Sequence, residues 1–348
     1  MRKIALFAYG EIYYGNDRIF DPDWMKDLPL GNSWGFYFGD LKDRMEKLGW
    51  SLSAPDPVRD SLDGFEKILF FDMPNKIALY QSKILNGPQR KYLVQSECSQ
   101  IVPENWRESN YSLFDRVFTW SPDLKGEKFV RYYWPNRLEL PDRSRFSFQD
   151  KKMCVMVAGN KKNKSPNELY SERRKVLDWF ELNHPDDLDL YGNEWNLSLR
   201  KKTKEFFKNM ARWSRGEYPV RIKDYSIYRG RLSSKEDTLP DYKFNFCYEN
   251  MKDVPGYITE KIFDSFSCGV VPIYWGWKGV SSLIPEEAFI DARRFDSIND
   301  IYGFISSMDE SSHRSYLDAA VDFLTSQKAS LFSGDAFIRT LVDGMGIH

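Results

Sequence analysis

The residues best equipped for chemistry lie between Tyr242 and Gly276, in the stretch YKFNFCYENMKDVPGYITEKIFDSFSCGVVPIYWG. It reads as strand, loop, helix, strand, a βαβ unit whose crossover is expected to be right-handed. In open α/β sheets, ligands sit beyond the carboxyl ends of the strands. The loop from Glu249 to Ile258 falls there. Thr259 is placed to cap the next helix, its hydroxyl meeting a free backbone N–H. Glu260 and Lys261 then occupy the first turn. A helix N-terminus combines partial positive charge with unpaired N–H donors, a setting that attracts phosphate. Lys261 opposes that dipole, and a bound diphosphate would resolve the conflict. Glu260 can accept hydrogen bonds from ribose hydroxyls, as acidic residues do in other Rossmann-like sites. The competing reading makes both residues surface positions on an amphipathic helix.

Such a loop needs a parallel sheet behind it. Residues 2–9 read as an opening strand, followed by a helical pattern from Asn32 to Leu48. Lys67–Asp72, Lys91–Gln95 and Arg116–Trp120 read as buried strands, with a helical stretch from Asn75 to Leu85. Strands alternating with helices imply a parallel sheet. Residues 135–151 hold two prolines, several charges and few aliphatics, and read as a linker. A second α/β series restarts at Met153–Ala158, with a helix at Ser171–Leu182 and a strand at Leu188–Tyr191. Two domains are therefore expected, 1–150 and 151–348, the second ending in helices that can pack back on the first.

Composition narrows the classes. A formal net charge of −1 over 348 residues gives no global pull toward nucleic acid. Aromatics reach 16%, which suits stacking on sugars and equally suits two packed cores. None of the four cysteines forms a C-x-x-C pair, and Cys154, Cys247 and Cys268 lie in apolar runs. They read as reduced core residues of a cytosolic protein. Three scattered histidines argue against a His-built metal site or a Ser-His-Asp triad. No stretch approaches the roughly 20 apolar residues a membrane span needs. Residues 200–235 carry twelve Lys/Arg against three Asp/Glu. They read as a solvated helix and loop, or as a surface for phosphate or an anionic membrane. The sequons at Asn110 and Asn196 read as chance matches.

The Tyr242–Gly276 stretch resembles the signature of the α1,3/4-fucosyltransferase family (glycosyltransferase family 10). The shared order is an aromatic strand, Glu-Asn, a short loop, Tyr-Ile-Thr-Glu-Lys, small residues and Val-Pro-Ile-Tyr-Trp-Gly. Gly230-Arg-Leu232, the segment Leu283–Asp291 and the segment Ser171–Gly192 extend the likeness across residues 150–310. The resemblance implies an α/β GT-B fold, two Rossmann-like lobes with a substrate cleft between them. It implies an inverting enzyme that takes fucose from GDP-fucose, with the nucleotide sugar on the C-terminal lobe and the acceptor on the N-terminal lobe. By position, Glu260 would hold the ribose, and Lys261 and Arg173 the diphosphate, with Arg174 the alternative one residue on. Asn250 and Tyr257 would line the same pocket. The segment Gln95–Trp106 is similar to the family's base-bearing loop, so Glu97 maps to the general base. The family's Pro is replaced there by Cys98-Ser99. The bland alternative is a surface loop glutamate.

No obligatory metal is expected, since Lys261, Arg173 and a helix N-terminus can stabilise a departing diphosphate. The Asp-x-Asp triplets at Asp21 and Asp187 read as incidental, one in a Pro-containing loop and one at a strand start. The acceptor the resemblance implies is an N-acetylglucosamine unit of a lipopolysaccharide or other surface glycan, linked α1,3. The location expected is cytoplasmic, with peripheral membrane contact through residues 200–235. Two alternatives stand beside this: another GDP-sugar donor, or a non-catalytic protein that binds nucleotide sugar or glycan.

Overall fold

The computed structural model describes residues 1–9, 13, 15–26, 35–56, 60–73, 84–142, 147–195 and 224–348. They build two six-stranded sheets. The first holds β1 (Arg2–Ala8), β2 (Trp50–Ser53), β3 (Lys67–Phe71), β4 (Arg90–Gln95), β5 (Arg116–Thr119) and β6 (Phe129–Arg131). The second holds β7 (Lys152–Val157), β8 (Leu188–Tyr191), β9 (Tyr228–Gly230), β10 (Tyr242–Tyr248), β11 (Val271–Trp275) and β12 (Ile290–Asp291). The orders are β2-β1-β3-β4-β5-β6 and β12-β11-β10-β7-β8-β9. Every pairing is parallel. A parallel strand is covered on both faces, so it reads as an unbroken apolar run. KILFF of β3 is buried at all five positions. Two Rossmann-like sheets, each with its own core, form the GT-B architecture expected from the sequence.

The longer helices are α1 (Tyr37–Lys47), α2 (Tyr170–Asn183), α3 (Glu260–Ser267), α4 (Ile298–Ser306), α5 (Glu310–Leu324) and α6 (Gly334–Gly344). Helix α3 is the crossover of the chemistry-bearing unit. It buries Ile262, Phe263 and Phe266 against Phe323 and Phe332. Its end follows from Gly269, which takes φ +66°. Gly269 N–H donates to Phe266 O at 3.1 Å and Val270 N–H to Ser265 O at 3.0 Å. That pair of bonds is a Schellman stop, satisfying carbonyls the helix leaves unpaired.

The chain passes twice between the lobes. Asn136 on the first pass bridges to Ser333 on the return, and its N–H donates to Phe332 O at 2.7 Å. Helix α6 then joins the N-terminal core, burying Phe337, Ile338 and Leu341 beside Phe71 and Phe118. The helical stretch expected at Asn75–Leu85 lies mainly outside the described residues, as do residues 200–223 of the basic region.

Candidate active site

Each sheet reverses its strand order once, between β1 and β3 and between β7 and β10. Crevices at such reversals are where ligands bind. On the C-terminal sheet, the loop after β10 begins with Glu249, which is fully buried. Its carboxylate accepts from Thr259 N–H at 2.8 Å and from Thr259 Oγ1 at 2.7 Å. Lys261 Nζ reaches the same carboxylate at 3.2 Å, Thr259 Oγ1 at 2.9 Å and Glu260 Oε1 at 3.4 Å.

This corrects one expectation. Thr259 stands at the N-cap of α3 in extended backbone, but its hydroxyl makes no cap bond. The hydroxyl instead donates to the buried Glu249 carboxylate and accepts from the Lys261 ammonium, a charge-assisted partner in place of a backbone N–H. It also alters the account of Lys261. Glu249 and Glu260 supply the anions that a cation in a first turn requires, and they hold the ammonium firmly charged despite burial. Burial works to raise the Glu260 carboxyl, but Lys261 and Lys235 outweigh it and keep it well below the usual range.

Arg173 and Asn250 meet at the β7/β10 crevice. Arg173 is buried in the first turn of α2, and its guanidinium donates to Tyr248 O and, at 3.2 Å, to Asn250 Oδ1. Burial lowers its basicity. Arg174 points elsewhere, donating to Asn160 Oδ1 at 2.9 Å and to Lys161 O. Asn250 Nδ2 donates to the Tyr257 hydroxyl at 3.2 Å. The Tyr257 ring lies 5.0 Å from that of Trp120 and belongs to the N-terminal core. Gly256 shows how tightly this loop docks. It takes φ +79°, and a Cβ there would come 2.4 Å from Trp120 O. The 250–257 loop thus joins the candidate donor crevice to the opposite lobe.

Glu97 arrives from that lobe, just beyond β4. Asp72, at the end of β3, holds it in place. Asp72 is buried in a left-handed conformation, φ 63°. Its carboxylate accepts from Ser96 N–H at 2.7 Å, Glu97 N–H at 2.9 Å, the Ser96 hydroxyl and the Asn105 amide. Trp106 Nε1 donates to Glu97 O at 3.0 Å. Burial and then Asp72 raise the Glu97 carboxyl to about 7, against the pull of Lys161 and Lys261. Lys261 and Glu260 of the other lobe both act on the Glu97 charge. A carboxyl poised near neutrality in a cleft is a candidate general base.

The triplets make local contacts, Asp21 Oδ1 accepting from the N–H groups of Asp23 and Trp24. Asp189 pairs with Lys152 at 2.9 Å and Arg229 at 2.6 Å, and Asp187 accepts from Tyr302 at 2.6 Å, both at the amino end of β8. Among the described residues no cluster of three or more His, Cys, Asp or Glu side chains is arranged to hold a metal. No helix among them is long and apolar enough to cross a membrane.

Two parallel Rossmann-like sheets with a charged cleft between them define a GT-B glycosyltransferase fold. Residues 146–320 match the C-terminal part of glycosyltransferase family 10 (fucosyltransferase), half of the chain, and the protein belongs to that family. It is 28% identical over 106 residues to the α-(1,3)-fucosyltransferase FucT of Helicobacter pylori, 30% of this chain and 21% of that protein. It is 33% identical over 91 residues to an α-(1,4)-fucosyltransferase of Arabidopsis thaliana, 26% of this chain and 22% of that one. The aligned segments span about a fifth of these relatives. In three dimensions the likeness covers far more. A crystal structure of an α1,3-fucosyltransferase superposes with a TM-score of 0.56 at 15% identity, over 99% of this chain and 90% of that one. A GDP-fucose complex of an α1,3-fucosyltransferase gives 0.52 at 16% identity, with the same coverage. A T4 phage β-glucosyltransferase gives 0.53 at 10% identity, over 97% and 99%. The fold is thus shared with a glucosyltransferase as well as with fucosyltransferases.

Proposed function

We propose that the protein transfers fucose from GDP-fucose, with inversion, to a hydroxyl of an N-acetylglucosamine-containing glycan, Glu97 acting as base. The observation that supports the reading is Glu97, fixed by the Asp72 carboxylate on one lobe and subject to the charges of Glu260 and Lys261 on the other. In a single displacement the acceptor oxygen bonds to the anomeric carbon as the bond from that carbon to the phosphate oxygen breaks. The acceptor's proton passes to the Glu97 carboxylate, and GDP leaves with the electron pair. Lys261 and Arg173 stabilise the charge growing on the diphosphate, in a site where burial strengthens each interaction. Glu260 holds the ribose, and Asn250 and Tyr257 shape the loop beneath. This needs no metal as Lewis acid. Support for GDP-fucose is the family and a structural neighbour that binds it. An α1,3 linkage, a lipopolysaccharide or other surface-glycan acceptor and work at the cytoplasmic membrane face belong to the same proposal. The basic stretch 200–235 supports the last of these.

The test is GDP release from GDP-fucose in EDTA, with and without N-acetyllactosamine, for the wild type and Glu97→Gln. Acceptor-stimulated release should drop about 10²- to 10⁴-fold in the variant, while GDP-fucose binding persists. Release without loss in Glu97→Gln would remove Glu97 from the base role. Binding without release would overturn the acceptor, and absence of binding would overturn the donor.

A further inference from the structure

One buried polar group beside this cleft has no use in the scheme above. Tyr170 opens helix α2 and is buried, yet among the described residues its hydroxyl has no hydrogen-bond partner. A buried unsatisfied hydroxyl is disfavoured, and each such group in a folded protein calls for an explanation. Its surroundings supply one. The Arg173 guanidinium lies 5.1 Å from the centre of the Tyr170 ring. The hydrogen bonds of Arg173 go to neutral oxygens, Tyr248 O and Asn250 Oδ1, and none to a carboxylate. A buried cation without a directly bonded anion and a buried donor without an acceptor thus stand side by side. Both deficits are met by one ligand chemistry, an anion with several acceptor oxygens.

We propose that the Tyr170 hydroxyl donates a hydrogen bond to the diphosphate of the bound nucleotide sugar, next to Arg173. The assignment rests on the donor site described above. The electrostatics agree with it. Burial raises the Tyr170 hydroxyl to about 12, Arg173 and Lys261 oppose the rise, and Cys98 and Glu97 add to it. Charged groups of both lobes thus act on a hydroxyl whose ring packs against Arg173. Held by the rigid start of a helix, it binds without reorganising. As the leaving group gains charge, its hydrogen bond strengthens.

The test uses Tyr170→Phe, which keeps the ring against Arg173 and removes one oxygen. GDP, guanosine and GDP-fucose are titrated calorimetrically into the wild type and the variant, and melting temperatures are taken without ligand. GDP and GDP-fucose should each bind about 10- to 100-fold more weakly to the variant. Guanosine binding should be equal in the two proteins. The unliganded melting temperature should hold or rise, because the lost hydroxyl had no partner. A clear fall in it, or failure to fold, would mean the hydroxyl already has a structural partner and overturns the assignment. So does unchanged GDP affinity in the variant. A loss confined to GDP-fucose would move the contact to the sugar and overturn it as well. Failure of wild type to bind GDP removes the donor site itself, and this inference with it.

Discussion

The two lobes solve one problem in opposite ways. Each places a buried carboxylate directly after a central strand, Asp72 after β3 and Glu249 after β10. Each uses it to fix a second residue at the cleft, Glu97 in one lobe and Lys261 in the other. Asp72 receives only neutral donors, whereas Glu249 has an ammonium 3.2 Å away. The consequence is a division of labour. On the N-terminal side burial, and then Asp72 with no bonded cation of its own, raise Glu97 into the range where it can exchange a proton. On the C-terminal side charges are paired, so Lys261 and Glu260 remain ionised. Similar local architecture makes a proton acceptor in one lobe and a fixed field in the other: burial prevails at Glu97, whereas Lys261 and Lys235 outweigh it at Glu260.

The strongest way to break this comparison is to delete the Lys261 cation. Lys261→Met leaves Glu249 buried with no ammonium partner. A broken buried pair costs about 3–5 kcal/mol, and the partial exposure of Lys261 places the effect at the lower end. Chemical denaturation should show that loss, along with lost GDP binding. Adding Glu249→Gln should restore much of the stability and none of the binding. If Lys261→Met is as stable as the wild type, the pair is not what holds the loop.

Asp72→Asn probes the other lobe and should cost about 1–3 kcal/mol, because an amide cannot accept all four donors. Its sharper readout is the pH profile of kcat/KM. The free base must be deprotonated, so activity should rise through pH about 7 in the wild type. Removing the Asp72 charge lowers the Glu97 carboxyl, and that acid limb should move to lower pH. An unmoved limb alongside a stability loss would reduce Asp72 to scaffolding.

These two carboxylates also mark what the sequence left hidden. The βαβ unit with Glu260 and Lys261 was legible, since its ligand-bearing loop, helix start and strands are contiguous. Strands β3, β4, β5, β7, β8, β10 and β11 were legible as apolar runs. Edge strands β6, β9 and β12 were not, because two or three residues carry too little pattern, nor was β2, whose apolar residues alternate with serines. The work of Asp72 depends on Ser96 and Asn105, 24 and 33 residues away. No local rule reports such a partnership. Glu249 was visible as half of a Glu-Asn pair, but its hold on Thr259 became evident only when the loop closed. The left-handed backbone of Asp72 leaves no trace in composition either, although Asp is among the residues that tolerate it.

A milder test compares stability rather than rate. The Glu97 carboxyl lies higher in the folded chain than its ordinary 4.5. Between that value and about 7 the folded state binds more protons than the unfolded one, so this group's contribution to stability falls as pH rises. Glu97→Gln removes the titration. Its stability relative to wild type should therefore increase from pH 4.5 to pH 7 and level off above. Glu260 is lowered and Lys261 raised, so neither adds a gradient within this window. A difference between the two proteins that is flat with pH would mean that Glu97 is not raised.

The smallest expected effect has the opposite sign, and that makes it informative. Lys161 follows β7, is exposed, and favours the charged form of Glu97 across the cleft. Lys161→Ala should raise the Glu97 carboxyl and move the acid limb of kcat/KM to higher pH, opposite to Asp72→Asn. The shift should be the lesser of the two, because Asp72 outranks Lys161 as a cause. It should also fade in salt. At 1 M ionic strength screening acts within about 3 Å, so an exposed lysine loses its influence while a buried aspartate keeps most of its own. Asp72→Asn and Lys161→Ala thus bracket the wild-type profile at low salt, and only the Asp72 displacement should survive at high salt. If the Lys161 shift persists there, the lysine contacts the carboxylate directly, and the fixed field of the C-terminal lobe extends further into the cleft than Lys261.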